Sequence, residues 1–155
     1  MKITAWRIVH AKHLASAFDG EGARQFPGRW NRRGTPMVYT AGALSLAALE
    51  LLVNIDVEQL LGTYMSIPVT FEDDLCTHIT PNQLPADWAS HPIPSTTRDI
   101  GTAWAQSKAS PVLAVPSAVV HIETNFLLNP LHPEFTKIRI GSTDTFAWDS
   151  RLIKK

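Results

Sequence analysis

Residues 28–40 read GRWNRRGTPMVYT, and the helix predicted to follow them carries a single carboxylate, Glu50. Residues 22–49 contain no Asp or Glu but carry four arginines, which are Arg24, Arg29, Arg32 and Arg33. Residues 44–53 are apolar on almost every side, which is typical of a buried helix. A buried carboxylate is costly unless a cation pairs with it, and the upstream arginines can supply that cation. The segment therefore predicts a site for an anionic substrate. In the alternative interpretation, Glu50 lies at the helix surface beside Asn54 and the arginines are solvated loop charges.

Composition and charge describe an ordinary globular chain. At 155 residues the chain is long enough for a substantial core, and we expect a single domain over residues 1–155. The net charge is zero, which excludes a polycation that binds nucleic acid or membranes through its overall charge. Cys76 is the single cysteine, so no internal disulfide can form and a reducing cytoplasmic location is expected. Neither a signal peptide nor a transmembrane stretch is evident.

The pattern of apolar residues predicts strands and a few helices at irregular spacing, which indicates an α+β fold. Strands are predicted at residues 3–10, 37–40, 63–71, 111–115, 117–122 and 135–140. One helix is expected from a cap at Thr40 to about Asn54, and another over residues 97–107 with Ile100, Ala103, Trp104 and Ser107 along one stripe. Pro68 favours an edge or a bulge, and residues 123–133 are rich in turn formers.

Three more polar positions stand out in apolar surroundings. Arg7 lies within the first predicted strand, Tyr39 lies at the end of the second, and Ser117 stands between Pro116 and Ala118. No Gly-x-Ser-x-Gly elbow surrounds Ser117, so a hydrolase nucleophile is rejected, and the hydroxyl is either satisfied in the core or a contact to a ligand. The histidines do not show metal-ligand spacing with cysteines or carboxylates, and no glycine-rich phosphate loop is present, so no metal site is predicted.

These motifs together resemble a RES-domain protein over nearly the whole chain. The front half carries GRWN at 28–31, GTP at 34–36, VY at 38–39 and ALE at 48–50. The back half carries VPSA at 115–118, then Asn125, LLNP at 127–130 and HP at 132–133. The Arg, Glu and Ser that name the domain would be Arg29, Glu50 and Ser117. One departure is Trp6 before Arg7, where many members carry Tyr.

The resemblance implies the toxin of a type II toxin–antitoxin pair, neutralised by an Xre-like antitoxin with a DNA-binding domain. It implies a mono-ADP-ribosyltransferase-like fold with split β-sheets and flanking helices. The implied activity is cleavage of the nicotinamide–ribose bond of NAD by hydrolysis or phosphorolysis, or transfer of ADP-ribose to a protein in some members. No cofactor beyond NAD as substrate, no direct DNA binding and no membrane partner are expected. The acceptor, and the choice between a homodimer and a hetero-oligomer with the antitoxin, stay open.

The resemblance also suggests roles for four catalytic residues. Glu50 would hold the ribose hydroxyls and stabilise the positive charge that develops as nicotinamide leaves. Arg29 would grip the diphosphate through bidentate hydrogen bonds. Tyr39 would stack against the nicotinamide ring or wall the ribose. Ser117 would hydrogen-bond the ribose or Glu50.

Arg7 and Asn125 are further expected to bind NAD, Arg7 at a phosphate or beside Glu50 and Asn125 as a neighbour of the site. The side chains of Arg29, Tyr39 and Glu50 should face one hollow sized for a dinucleotide. Two rival classes remain open. The first is a nucleic-acid-binding module, suggested by the acid-free arginine span with Trp30 and Tyr39 interleaved. The second is an interaction domain without chemistry, in which Glu50 is structural.

Overall fold

The computed structural model describes residues 1–152, and strands dominate this part of the chain. The strands, β1 to β8 in chain order, are Lys2–His10, Val38–Ala41, Tyr64–Glu72, Cys76–His78, Val112–Pro116, Thr124–Leu128, Arg139–Ile140 and Asp144–Phe146. The α-helices, α1 to α3, are Glu21–Gln25, Leu44–Leu52 and Ser95–Ser107. Short 3₁₀ segments complete the connections at Ala11–Ser16, Val57–Leu60, Asp73–Leu75, Pro81–Gln83, Phe135–Lys137 and Ser150–Leu152. The predicted α+β class is confirmed.

The strands form one sheet in the order β4-β5-β6-β2-β1-β3-β7, with β8 also pairing with β3. Neighbours are antiparallel except β4 and β5, which run parallel. The register places Asn125 of β6 opposite Ala41 of β2 on one side and Val115 of β5 on the other. The chain leaves β5 beside this position and enters α2 shortly after β2. The sheet therefore brings the end of β5, the start of β6 and the segment that leads into α2 together.

The core is built on both faces of β5, whose residues are all buried. Val112 and Ala114 pack into a cluster with residues of β1, β2, β3 and β6. Leu113 and Val115 point the other way, into a cluster with three tryptophans, Trp30, Trp88 and Trp104. A strand buried on both faces has a continuous apolar sequence rather than an alternating one, as residues 112–116 do. Trp104 is thus a core residue, as its position on the predicted helix indicated.

The start of α2 differs from the prediction. Thr40 does not cap this helix, because it lies in β2 opposite Phe126 and its hydroxyl donates to the Phe126 carbonyl oxygen over 2.7 Å. The N-cap is Ala43, which has no side chain able to cap, and the helix ends at Leu52 rather than Asn54. Strand pairing therefore holds Thr40 in the sheet and delays the helix by a few residues.

The predicted strand at residues 117–122 was wrong. The backbone turns at Ser117, whose Oγ accepts the backbone N–H groups of Val119 and Val120, each over 3.0 Å. Such side-chain to backbone bonds compete with a strand ladder. The strand that does follow β5 is β6, within the segment expected to be a turn. The apolar residues at 117–122 therefore did not indicate the turn between β5 and β6.

Helix α3 begins two residues earlier than predicted and buries a different face. Its buried residues are Thr97, Gly101, Thr102, Trp104 and Ala105, whereas Ala103 and Ser107, placed in the predicted stripe, are exposed. The face that includes Gly101 and Thr102 packs against the arginine-bearing loop. The helix is therefore oriented by a polar neighbour as well as by the core.

Pro68 lies inside β3 at a position where its missing N–H has no cost. It stands opposite Trp6 of β1, and its carbonyl oxygen accepts from Gly141 N over 2.7 Å on the other side. On that side β7 pairs with residues 69–70 and β8 with residues 64–66, so Pro68 falls in the gap between them.

Residues 135–140, predicted as one strand, form a 3₁₀ segment followed by the short β7. Among the helices of residues 1–152, none has both the length and the apolar character needed to cross a bilayer.

Candidate active site

Glu50 is a half-buried carboxylate whose two oxygens have different surroundings. It lies near the end of α2, where apolar residues face the sheet. Its Oε2 accepts a hydrogen bond from the Ser117 hydroxyl over 2.9 Å and another from the Asn125 side-chain amide. No hydrogen bond from residues 1–152 reaches Oε1. One oxygen is therefore fixed by the protein, while the other is free to accept a bond from a ligand.

Ser117 is fully buried, and all the hydrogen-bonding capacity of its hydroxyl is used. The oxygen accepts two backbone N–H groups from the turn that follows β5, which leaves its proton to Glu50. A serine held in this way is a donor to the carboxylate rather than a nucleophile. The rejection of a hydrolase serine, made on motif grounds, agrees with this geometry.

Asn125 approaches Glu50 from β6. Its Nδ2 donates to the carboxylate, while its Oδ1 is buried and has no hydrogen-bond partner among the described residues. Turning the amide over would set Oδ1 against the carboxylate, so the bond to Glu50 fixes its orientation. Asn125 was expected to bind NAD as a neighbour of the site; the structure places it against Glu50, and the contact to NAD stays a prediction.

The loop that carries Arg29 is organised around the buried amide of Asn31. The Nδ2 of Asn31 donates to the Ala23 carbonyl oxygen over 2.7 Å and to the Thr35 carbonyl oxygen over 3.2 Å. Its Oδ1 accepts from Gly28 N over 2.9 Å and from the Tyr39 hydroxyl over 2.6 Å. One side chain thus ties α1, the arginine loop and β2 together. Asn31 is the last residue of the GRWN motif, and nothing in the sequence indicated this bonding role.

Tyr39 has its hydroxyl inside this network. Besides donating to Asn31, the hydroxyl accepts from Trp30 N over 3.0 Å. Burial raises the pKa of Tyr39 well above its usual value, although the Trp30 bond and two nearby arginines act in the opposite direction. A Cβ on Gly28 would lie 2.7 Å from the Tyr39 hydroxyl oxygen, so the loop passes directly over the ring end. The hydroxyl of Tyr39 therefore holds the loop in place, while its ring packs against the cluster that contains Trp30.

Arg29 is half-buried and held by main-chain oxygens. Its Nη1 donates to the carbonyl oxygens of Trp88 and Ser90, over 3.0 and 2.9 Å. Burial lowers the pKa of Arg29, while the negative charge of Glu50 raises it. The guanidinium and the carboxylate thus act on each other electrostatically without forming an ion pair. The hollow that residues 29, 39 and 50 were expected to share stays a prediction, because neither described cavity is lined by these three side chains.

The other loop arginines are occupied or solvent-facing. Arg24 pairs with Glu21, and Arg32 pairs with Asp99 of α3. Arg33 is exposed. The acid-free segment is therefore not a bare cationic surface, because acidic residues from outside it meet two of its arginines.

Arg7 lies next to this region but faces another space. Its Nε donates to the Ala17 carbonyl oxygen over 2.6 Å and its Nη1 to the Tyr39 carbonyl oxygen over 3.1 Å. Burial lowers the pKa of Arg7 to about 10, with Asp19 acting in the opposite direction. A cavity of about 710 Å³ opens here between β1, α1 and the end of α2, and Arg7 lines it. Arg29, Tyr39 and Glu50 do not line this cavity, so the structure links Arg7 to them through the Tyr39 backbone rather than through this space.

Sequence reasoning missed Arg98 of α3, whose side chain reaches the arginine loop. Its Nε donates to the Gly28 carbonyl oxygen over 3.0 Å. An arginine near the start of a helix carries no signal of such a contact. Within residues 1–152, no group of three or more His, Cys, Asp and Glu side chains is arranged to hold a metal ion.

Comparison with known proteins identifies the family. The model of the RES domain matches residues 4–149. The chain belongs to the RES-domain family. The resemblance inferred from the motifs is thereby confirmed.

Relatives of this RES-domain chain extend over nearly its full length. "Toxin Res" of Yersinia enterocolitica is 41% identical over 148 residues, which cover 95% of this chain and 97% of the relative. "Prs ADP-ribosylating toxin" of a Sphingobium species is 34% identical over 161 residues, covering 100% and 99%. A chain of the M. tuberculosis MbcT-MbcA toxin-antitoxin complex has a TM-score of 0.78 at 20% identity, covering 94% of this chain and 85% of that chain. The last likeness establishes the shared fold.

Proposed function

We propose that this chain is the toxin of a type II toxin–antitoxin pair and that it consumes NAD by cleaving the nicotinamide–ribose bond. The observation that carries the proposal is the carboxylate of Glu50, fixed through one oxygen by Ser117 and Asn125 and open at the other. The names of the RES relatives support the toxin role, and the ADP-ribosylating relative supports chemistry on an ADP-ribosyl donor.

The chemistry of NAD suits a fixed carboxylate. Nicotinamide leaves as a neutral ring because the pyridinium takes both electrons of the bond that breaks, so no strong general acid is required. The ribose then carries positive charge, as in glycoside cleavage. A carboxylate that is already oriented stabilises this charge without reorganising, which is the condition for a large electrostatic contribution. Glu50 supplies the carboxylate, and its free Oε1 can accept a ribose hydroxyl.

The remaining site residues bind NAD or orient the groups that contact it. Arg29 has guanidinium donors that the protein does not use, and these suit the diphosphate of NAD. Tyr39 holds the arginine loop through its hydroxyl and offers its ring to the nicotinamide side. Ser117 and Asn125 act through Glu50. Arg7, which donates to the Tyr39 carbonyl oxygen and lines a separate cavity, is the second candidate for a phosphate contact.

The acceptor distinguishes two forms of this function. Water or phosphate at the ribose carbon gives NAD depletion, whereas a protein side chain gives ADP-ribosylation. The second form is favoured by the Sphingobium relative, which matches 100% of this chain and is named an ADP-ribosylating toxin. Both forms use the same bond cleavage and the same residues.

The arginine loop gives little support to nucleic-acid binding. Trp30 is only 2% exposed and packs among the core tryptophans, so it offers no face for stacking on a base. Arg24 and Arg32 are paired with carboxylates. An interaction domain without chemistry would have no use for a carboxylate held at one oxygen and open at the other.

The partner of this toxin would be an Xre-like antitoxin with a DNA-binding domain, acting in the cytoplasm. Support comes from the fold shared with a chain of a toxin–antitoxin complex. An antitoxin segment that entered the arginine-lined region would exclude NAD. Size-exclusion chromatography with light scattering, on the chain alone and with its antitoxin, would distinguish a homodimer from a hetero-oligomer.

Product analysis tests the proposal. The purified chain is incubated with NAD, with and without phosphate, and the products are identified by mass spectrometry. Free nicotinamide with ADP-ribose indicates hydrolysis, a phosphorylated ADP-ribose indicates phosphorolysis, and a mass increase on an added protein indicates transfer. NAD that remains intact under all three conditions, including with a lysate as a source of acceptor proteins, would refute the proposal.

A further inference from the structure

The first half of α3 fixes the loop that carries Arg29. Arg98 donates to the Gly28 carbonyl oxygen over 3.0 Å and to the Pro27 carbonyl oxygen over 3.4 Å. One turn further on, Thr102 Oγ1 accepts from the backbone N–H of Arg32 over 2.9 Å. The guanidinium of Arg98 is therefore held beside the residue that precedes Arg29, on a rigid helix.

The guanidinium groups of Arg29 and Arg98 both bond main-chain oxygens around this loop, and neither bonds a carboxylate among the described residues. Arg29 bonds the carbonyl oxygens of residues 88 and 90, and Arg98 bonds those of residues 27 and 28. Within residues 1–152, neither arginine takes part in an ion pair. Burial lowers the pKa of Arg29 and the charge of Arg98 adds to this effect, while the charges of Glu50 and Tyr39 raise it. Like charges in a partly desolvated place repel, and an anion between them would offset that cost.

The donors that stay free define what such an anion would be. Nη1 of Arg98 and both Nε and Nη2 of Arg29 make no hydrogen bond to the described residues. Each guanidinium can bond the oxygens of one phosphoryl group. A diphosphate presents two linked phosphoryl groups, which matches two neighbouring guanidiniums better than a single phosphate does.

We propose that Arg98 and Arg29 together form the binding site for the diphosphate group of the dinucleotide. The proposal deepens the proposed function and rests on it for the identity of the substrate. It gives Arg98 two tasks, which are to hold the loop through carbonyl oxygens and to bind the diphosphate through its remaining donors. Removing it should therefore weaken binding of the anion more than it slows bond cleavage.

The test measures binding of inorganic pyrophosphate by calorimetry to the parent chain and to Arg98→Gln. Arg139→Gln is the matched control, because Arg139 is an exposed arginine on the edge strand β7 and its loss changes the net charge equally. We expect Arg98→Gln to weaken pyrophosphate binding by about 10- to 100-fold, the value of a lost charged hydrogen bond, and the control to change it by less than about two-fold. With NAD, Arg98→Gln should raise KM while kcat falls much less.

A second measurement avoids the risk that Arg98→Gln fails to fold. The parent chain is treated with phenylglyoxal, which modifies arginines, with and without pyrophosphate, and peptides are analysed by mass spectrometry. Pyrophosphate should protect Arg98 and Arg29, while the exposed Arg33 is modified equally in both samples. Equal modification of Arg98 in both samples, parent-like affinity of a folded Arg98→Gln, or no pyrophosphate binding by the parent would each overturn the proposal. Pyrophosphate binding through Arg98 with NAD left intact would instead refute the proposed function and leave the anion site standing.

Discussion

The substitution Glu50→Gln separates the carboxylate's charge from its shape. In the parent chain Oε2 of Glu50 accepts from Ser117 and Asn125. A glutamine can keep both bonds by placing its amide oxygen at the Oε2 position. Its NH2 group then replaces Oε1, so a charged acceptor becomes a neutral donor at the position open to the ribose. The fold should survive this change, and the chemistry should not.

The expected magnitude follows from the role proposed for Glu50 in the reaction. A single oriented electrostatic group contributes about 10²–10³ in rate, or about 2.7–4 kcal/mol of barrier. The free energy of unfolding should change by less than about 1 kcal/mol, since no buried hydrogen bond is lost. Glu72→Gln is the matched control, because Glu72 makes only an exposed ion pair with the N-terminus, at 3.4 Å.

The assay follows nicotinamide release from NAD by liquid chromatography, with thermal unfolding by circular dichroism as the check on folding. Glu72→Gln should release nicotinamide at the parent rate, and Glu50→Gln at about 1% of it or less. A folded Glu50→Gln chain that matched the parent rate would remove Glu50 from the mechanism. Loss of activity in both variants would show that the assay reports general damage rather than the site.

Two further substitutions test the loop and its contact with α3, and the single thiol tests the burial of β4. Tyr39→Phe removes a hydroxyl that both donates and accepts inside the protein, so it should cost about 1–3 kcal/mol in chemical denaturation while its ring still supports turnover above the level of the Glu50 variant. Gly101→Ala would set a Cβ 1.7 Å from the Trp30 carbonyl oxygen and should lower the free energy of unfolding in urea by about 3 kcal/mol or more. The control Gly22→Ala, with no atom within 4 Å of the added Cβ, should stabilise α1 by about 0.5–1 kcal/mol. Equal effects of the two substitutions would contradict the packing of α3 on the loop. Burial, with Asp73 adding to it, raises the pKa of Cys76 to about 12, so iodoacetamide at pH 8 should alkylate the native thiol about 10³-fold more slowly than the unfolded one, in proportion to the smaller thiolate fraction. Because the native state keeps the proton, this thiol should stabilise the fold fully below about pH 8.5 and lose that contribution as the pH rises towards 12, which urea unfolding at several pH values would detect.

The strands with clear alternation or a continuous apolar run were predictable. β1, β3 and β5 lie where the pattern placed them, because their buried faces follow directly from their residues. The pattern failed where a side chain redirects the backbone. At Ser117 the turn depends on local bonds from the backbone of Val119 and Val120 to the hydroxyl. Thr40 is held in the sheet by a bond to Phe126, which is distant in sequence.

The candidate site was predictable at the level of residue types but not of contacts. A lone carboxylate in an apolar helix indicated Glu50, and the family motifs indicated Arg29, Tyr39 and Ser117. The sequence did not predict which contact each of these side chains makes. The hydroxyl of Tyr39 braces a loop, and Arg98 enters from a helix nearly 70 positions downstream. Such contacts arise only when α3 packs on the loop.

The two side chains that hydrogen-bond Glu50, Ser117 and Asn125, lie 67 and 75 positions further along the chain. During synthesis the carboxylate emerges from the ribosome long before β6 exists to orient it. With Glu50 in its proposed role, a nascent or truncated chain lacking residues 117–128 would therefore be inactive. Activity would begin only after these residues are synthesised and Ser117 and Asn125 fold against the carboxylate.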